Sequence, residues 1–197
     1  MRMRLFIAAE LPEQILEALS ETSALLRGQV RGRYVAPDSF HVTMVFLGEL
    51  SPAQAAVAAA ALENACEGQE PVAVSLGALG SFGRPRKATL WQGFSRGVDE
   101  LSGLAGDIRE ELAENGLPYD GTLFVPHVTL MRAASITGGT LPMPVVEKGI
   151  VDTITLFRSD LSGERPHYES LHSVKLVKYE GDELGAGREE GVGRLWA

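Results

Sequence analysis

The sequence predicts a mixed α/β protein made of two similar halves, and three observations carry that expectation. Short apolar runs of strand length alternate with amphipathic stretches of helical period. The order strand, helix, strand over 3–47 recurs over 87–132, as in a duplicated unit. One short motif stands at the third element of both halves. The length, 197 residues, allows one core or two small lobes and no multi-domain assembly. A composition of 45% hydrophobic and 22% charged residues argues against a disordered or fibrous chain.

The first strand is predicted over 3–10, where Leu5, Phe6, Ile7 and Ala8 form an apolar run closed by Leu11-Pro12. Pro12 suits a first helical turn, and Ile15, Leu16, Leu19, Leu25 and Leu26 keep helical spacing up to Gly28. After a turn at Pro37-Asp38, a second strand over 40–47 sets Phe40, Val42, Met44 and Phe46 on one face. His41, Thr43, Val45 and Leu47 take the other, which makes Phe46 a core residue. Ser51-Pro52-Ala53-Gln54 has the form of a capping box and starts a helix running to about Glu67. Strands follow near 71–82 and 87–94 around the turn Gly83-Arg84-Pro85-Arg86. The period of Leu101, Leu104, Ile108 and Leu112 predicts a helix over 98–114, stopped by Gly116. A strand over 123–132, loops over 137–144 and β-rich segments over 145–158 and 169–179 complete the body. Residues 181–197 are rich in Gly, Glu and Arg, lack apolar period and are expected to form a flexible tail.

Several classes are set aside. No apolar run nears the roughly 20 residues that cross a bilayer, and the opening run stops at Glu10, so a cytoplasmic protein without membrane association is expected. The single Cys66 offers neither disulfide nor zinc cluster and reads as a helix-packing residue. A formal net charge of −8 disfavours a protein that coats long nucleic acid through nonspecific phosphate contacts. It leaves room for one that grips a single phosphate and a nucleotide or two.

The shared motif is His-x-Thr followed by an apolar residue: Phe40-His41-Val42-Thr43-Met44 and Pro126-His127-Val128-Thr129-Leu130. With four histidines and nine threonines in the chain, chance yields about 0.2 such triplets, so two at matching places are not an accident of composition. Period two puts each histidine and its threonine on one strand face, roughly 6–7 Å apart. If the halves pack about a pseudo-twofold axis, the pairs face each other across a groove. Opening a cyclic phosphodiester in line needs one base for water and one acid for the departing oxygen on the far side of phosphorus. Imidazole serves either role near neutrality. Two hydroxyls can donate to the nonbridging oxygens. Neither motif carries a cysteine or carboxylate, so no metal and no cofactor is expected.

On these residues the sequence resembles the two-histidine phosphoesterase superfamily, and within it the RNA 2′,3′-cyclic phosphodiesterases, also called 2′-5′ RNA ligases. The resemblance extends over most of the chain through Arg4-Leu5-Phe6-Ile7-Ala8, Glu10-Leu11-Pro12, Phe46-Leu47-Gly48, Leu156-Phe157-Arg158-Ser159, Tyr168 and Leu171. It implies a bilobal fold with antiparallel sheets lining a central cleft and helices outside. It implies that His41 is the proton donor to the leaving ribose oxygen and His127 the proton acceptor from water. Thr43 and Thr129 match phosphate-binding positions, and Arg132 matches an arginine beside the phosphate. The implied reaction turns a terminal RNA 2′,3′-cyclic phosphate into a 2′-phosphate without metal, with 2′-5′ ligation as its reverse. Relatives commonly carry tryptophan where this chain has Tyr34.

The expected partners are RNA ends or small cyclic nucleotides, bound by a monomer. Two alternatives stay open at this level: the same chemistry on small cyclic nucleotides or 2′-5′ linkages, and an RNA-end binding module without turnover. His167 and His172 lie outside the motifs and read as loop-surface and strand-surface residues. Tyr168 and Arg165 are candidate contacts at the substrate rim, Tyr168 by stacking. Arg84, Arg86 and Lys87 form a basic run able to guide an RNA end.

Overall fold

The computed structural model describes residues 2–137, 140–163 and 165–178; the tail expected over 181–197 lies outside them. The chain order is β1 (Met3–Ala9), α1 (Glu13–Leu26), β2 (Arg31–Tyr34), a 3-10 turn (Pro37–Ser39), β3 (Val42–Leu50), α2 (Pro52–Cys66), β4 (Val72–Arg84) and β5 (Lys87–Arg96). Then come α3 (Val98–Glu114), β6 (His127–Ser135), β7 (Lys148–Val151), β8 (Thr153–Asp160) and β9 (His167–Lys175).

The nine strands of the described residues form one sheet, ordered β7-β4-β5-β6-β3-β1-β8-β9, with β2 paired beside them to β6. The order shows the duplication. Its left half, β7-β4-β5-β6, and its right half, β3-β1-β8-β9, run outward from the centre in matching fashion, each with a strand-helix-strand unit innermost. The expected pair of sheets is therefore one continuous sheet, because β3 and β6 pair at a single point, Val42 opposite Val128. Both valines are fully buried, so the seam between the lobes is sealed on its core face. The helices cover the core: α2 and α3 pack together, α2 also meets β8 and β9, α3 meets β3 and β4, and α1 packs on β7.

Local chemistry accounts for the element ends. Ser51 Oγ accepts from the Gln54 backbone N–H at 3.3 Å while Gln54 Oε1 accepts from the Ser51 N–H at 3.1 Å, the reciprocal cap foreseen at α2. Gly97 caps α3 in the left-handed region at φ 82°, and a Cβ there would meet the Ala73 carbonyl at 2.8 Å, so only glycine fits the turn. Asp99 and Glu100 in its first turn complement the helix dipole. Cys66 is buried at the end of α2, and burial pushes its thiol up to about 11, which keeps it protonated and inert.

One strand was not foreseen, and two expectations need correction. β2, with sequence Arg-Gly-Arg-Tyr, is mostly exposed and carries no alternation to announce it; it exists because β6 offers an open edge. The strand expected from Leu123 begins only at His127, after Pro126. The segment 145–158 is two strands split at Asp152, whose carboxylate accepts from the Thr153 hydroxyl and the Lys175 ammonium.

Candidate active site

The seam between the lobes builds the site. Because Val42 stands opposite Val128 in an antiparallel ladder, register sets His41 beside Thr129 and Thr43 beside His127. The two histidines are then diagonal neighbours on the face away from the valines, close enough for a charge on His127 to lower the His41 pKa. The structure thus brings together the four motif side chains. They form a cross around one residue pair.

Each ring is held the same way. His41 Nδ1 lies 2.8 Å from the Ser39 carbonyl and His127 Nδ1 lies 2.6 Å from the Val125 carbonyl, two residues upstream in each case. A carbonyl only accepts, so both rings carry their proton on Nδ1 and turn Nε2 toward the shared face. His41 Nε2 is 3.1 Å from Thr43 Oγ1. Burial pushes the His41 pKa down to about 4, opposed by the Ser39 carbonyl and helped by the charges of Arg132 and His127. Burial also lowers His127, again against its own carbonyl bond and with help from Arg132.

Arg132 therefore acts electrostatically on both rings, although strict alternation from His127 would send it to the other face. A bulge at Leu130 corrects this: Trp91 pairs with Thr129 but Leu90 pairs with Met131, so one extra residue flips the faces beyond it. The same device occurs in the other lobe. Ala8 pairs with Thr43 and Ile7 with Val45, leaving Met44 as the extra residue. Phe46, expected in the core, is consequently 46% exposed and pairs with Phe6, with ring centroids 6.1 Å apart. Phe46 and Arg132 occupy equivalent places, five residues beyond their histidines.

Aromatic rings flank both imidazoles. Phe6 lies 5.1 Å from His41, and Tyr168 meets it edge-on at 5.3 Å. Phe157 stacks on Phe6 at 5.4 Å. On the other side Phe82 is edge-on to His127 at 5.0 Å and Trp91 lies 5.6 Å away. Gly80 gives the indole its seat, since a Cβ there would fall 2.2 Å from the ring. Of these rings, only Tyr168 was expected to touch substrate; Phe6 and Phe157 stood in segments that carry the resemblance, without a role, and Phe82 and Trp91 come from β4 and β5.

The remaining candidates lie elsewhere. His172 faces α2, with Nε2 2.9 Å from Glu63 Oε1, and is thus a helix-sheet contact rather than a plain strand-surface residue. His167 is exposed at the start of β9, opposite Asp160. Tyr34 donates to the Val30 carbonyl at 2.9 Å and lies under the Arg27 guanidinium, and burial raises its pKa, so it packs locally. Among the described residues no three His, Cys, Asp or Glu side chains cluster as a metal site would.

Known proteins share this fold. Residues 9–91 match the LigT-like phosphoesterase family. The RNA 2′,3′-cyclic phosphodiesterase of Escherichia coli is 32% identical over 176 residues, spanning 89% of this chain and 97% of its own; that of Aquifex aeolicus is 30% identical, spanning 88% and 97%. The crystal structure of E. coli LigT complexed with 3′-AMP superposes with a TM-score of 0.76 at 28% identity over 90% of this chain and all of its own. TT0787 of Thermus thermophilus superposes with a TM-score of 0.74 at 27% identity and the same coverage. With identity at this level along nearly the whole length, and the same curled antiparallel sheet, the chain belongs to the RNA 2′,3′-cyclic phosphodiesterase family of LigT-like phosphoesterases.

Proposed function

We propose that the protein hydrolyses a terminal RNA 2′,3′-cyclic phosphate to a 2′-phosphate, using His41 and His127 as acid and base. The observation that carries this reading is the cross of two histidines and two threonines around the Val42–Val128 pair, with both Nε2 atoms on one face. Water attacks phosphorus as His127 Nε2 takes its proton. The bond from phosphorus to the ribose 3′ oxygen breaks, and the protonated His41 Nε2 delivers a proton to that oxygen. Thr43, Thr129 and Arg132 donate to the nonbridging oxygens, where charge accumulates. A 5′-hydroxyl in place of water gives a 2′-5′ linkage by the same steps.

The electrostatics fit an anionic substrate. In the free protein burial and Arg132 keep both rings neutral near pH 7. A bound phosphodiester anion beside them favours an extra proton on one ring, which loads the acid at the moment it is needed. The choice of His41 as donor rests on the family pattern its motif matches. Membership in a family of enzymes sets aside a binding module without turnover. The nucleotide in the E. coli relative's complex with 3′-AMP supports a nucleotide ligand. One chain supplies both histidines, so residues 1–180 make one bilobal catalytic unit that works as a monomer; its placement in the cytoplasm is part of the same reading. Among the described residues no helix is long and apolar enough to cross a membrane.

The test is incubation of an oligoribonucleotide ending in 2′,3′-cyclic phosphate with the protein in chelator. A 2′-phosphate product is expected. A 3′-phosphate product, or turnover only after metal is added, overturns the assignment.

A further inference from the structure

The two lobes match in topology but not in charge. Strands β2, β4, β5 and β6, with the β4–β5 turn, contain no Asp or Glu, although the chain has 26 of them. They carry Arg31, Arg33, Arg84, Arg86, Lys87, Arg96 and Arg132, all exposed and none in an ion pair among the described residues. In the other lobe the β8–β9 hairpin is different: its Arg158 pairs with Glu169 at 3.3 Å, and Asp160 follows two residues on, opposite His167. In a protein of net charge −8, an acid-free region on one side of the site is a feature to be explained.

Topology gathers all of these cations except Arg96, which stands opposite Ser75 at the far end of β5, at one end of β6. Arg33 stands directly opposite Arg132, and Arg31 opposite Ser135. The next residue, Ile136, donates its N–H to the Pro85 carbonyl at 2.8 Å, which fastens the β4–β5 turn, with Arg84, Arg86 and Lys87, against the same end. Like charges opposite each other in a ladder destabilise it, and among the described residues no carboxylate pairs with either. Between this group and His127 stands Phe82, 40% exposed, its ring edge-on to the imidazole and two residues before Arg84. A flat ring followed by spaced cations leading away from a phosphate site has the layout of a single-stranded nucleic acid surface, where bases stack on aromatics and phosphates meet guanidinium and ammonium groups.

We infer that the acid-free face of the second lobe, from Arg132 past Phe82 to the Arg84-Arg86-Lys87 turn, binds the chain of a single-stranded RNA whose end lies at His41 and His127. The inference rests on the proposed function and deepens it: the substrate is a polymer, selected over a mononucleotide by contacts outside the reacting nucleotide.

The test compares the full-length protein with its R84Q/R86Q/K87Q variant on two substrates, a ten-nucleotide RNA ending in 2′,3′-cyclic phosphate and a mononucleoside 2′,3′-cyclic phosphate, across a salt series. The variant is expected to lose on the order of tenfold in kcat/KM on the oligonucleotide at low salt, with its salt slope smaller by about 2, while the mononucleotide rate stays level. Equal loss on both substrates, or none on the oligonucleotide, overturns the track. Fluorescence anisotropy with an end-labelled RNA lacking the cyclic phosphate reads binding separately from turnover. Weaker, less salt-dependent binding by the variant supports the track even where neither substrate is hydrolysed, an outcome that sinks the proposed reaction alone; unchanged binding overturns the track whatever the turnover. Circular dichroism melts of the variant at the wild-type temperature show that the fold is intact.

Discussion

Val42 and Val128 stand opposite each other as the single point at which the two halves of the sheet pair, and the register they fix puts His41 beside Thr129 and His127 beside Thr43. The core contact and the chemical site are two faces of one residue pair. Burial of the valines is what holds the imidazoles in diagonal relation, since side chains alternate across a strand.

Replacing either histidine with alanine is expected to lower kcat on cyclic-phosphate RNA by about a thousandfold or more while changing substrate affinity only modestly, because each ring moves a proton in the transition state. Thr43→Val and Thr129→Val are expected to cost roughly 10–100-fold each, the loss of one donor to the developing charge. Steady-state kinetics with single-turnover controls separates binding from chemistry. A histidine variant that retains a tenth of wild-type kcat removes its ring from the mechanism.

The pH dependence carries a second expectation. The free protein holds His41 near 4 and His127 below its ordinary 6.5, so kcat/KM, which reports the free protein, should trace a bell centred on the acid side of neutrality. The limbs belong to the coupled pair. In the complex the phosphate anion lifts both values, and the kcat profile should lie at higher pH. Arg132→Gln removes a positive charge that lowers both rings, so its kcat/KM bell should move toward higher pH, whereas Arg132→Lys keeps it in place. Superimposable profiles for the three proteins would remove Arg132 from the electrostatics of the site.

Stability should follow the same group. The folded His41 value of about 4 lies below the 6.5 of an unperturbed ring. Between those pH values the unfolded chain binds a proton that the folded chain refuses, so stability drops as pH falls through this window and is free of the penalty above it. The effect is at most about 3 kcal/mol. Urea midpoints for the wild type and His41→Gln at pH 7.5, 5.5 and 4.5 check it. The wild type should lose more stability on acidification than the variant, and parallel curves would contradict the burial of this ring.

Gly80→Ala is expected to destabilise the protein by about 1–3 kcal/mol, the usual penalty of overpacking, because the new methyl falls 2.2 Å from the Trp91 indole. The displaced indole is the neighbour of His127, so activity should drop as well. Gly28→Ala serves as the control: a Cβ there meets nothing within 4 Å, and its thermal midpoint should not fall. Equal midpoints for the two variants would show that the indole does not occupy the Gly80 cradle.

Much of this protein is written locally. Helical period and caps set α2 and α3 nearly to the residue, since a capping box or a glycine stop is made by neighbours in the chain. The paired His-x-Thr motif identified the chemical groups, and alternation placed each histidine with its own threonine. Three matters were decided only by the assembled sheet. The bulges at Met44 and Leu130 reversed the faces beyond them, bringing Phe46 out of the core and Arg132 to the imidazoles, and a bulge is set by the register of two strands rather than by either alone. β2 formed because β6 had an open edge. The aromatic rings around His41 come from β1, β8 and β9, and those beside His127 from β4 and β5, neighbours by sheet order and not by sequence. Chain-local physics names the residues of the site; long-range hydrogen bonding between strands decides which way they point.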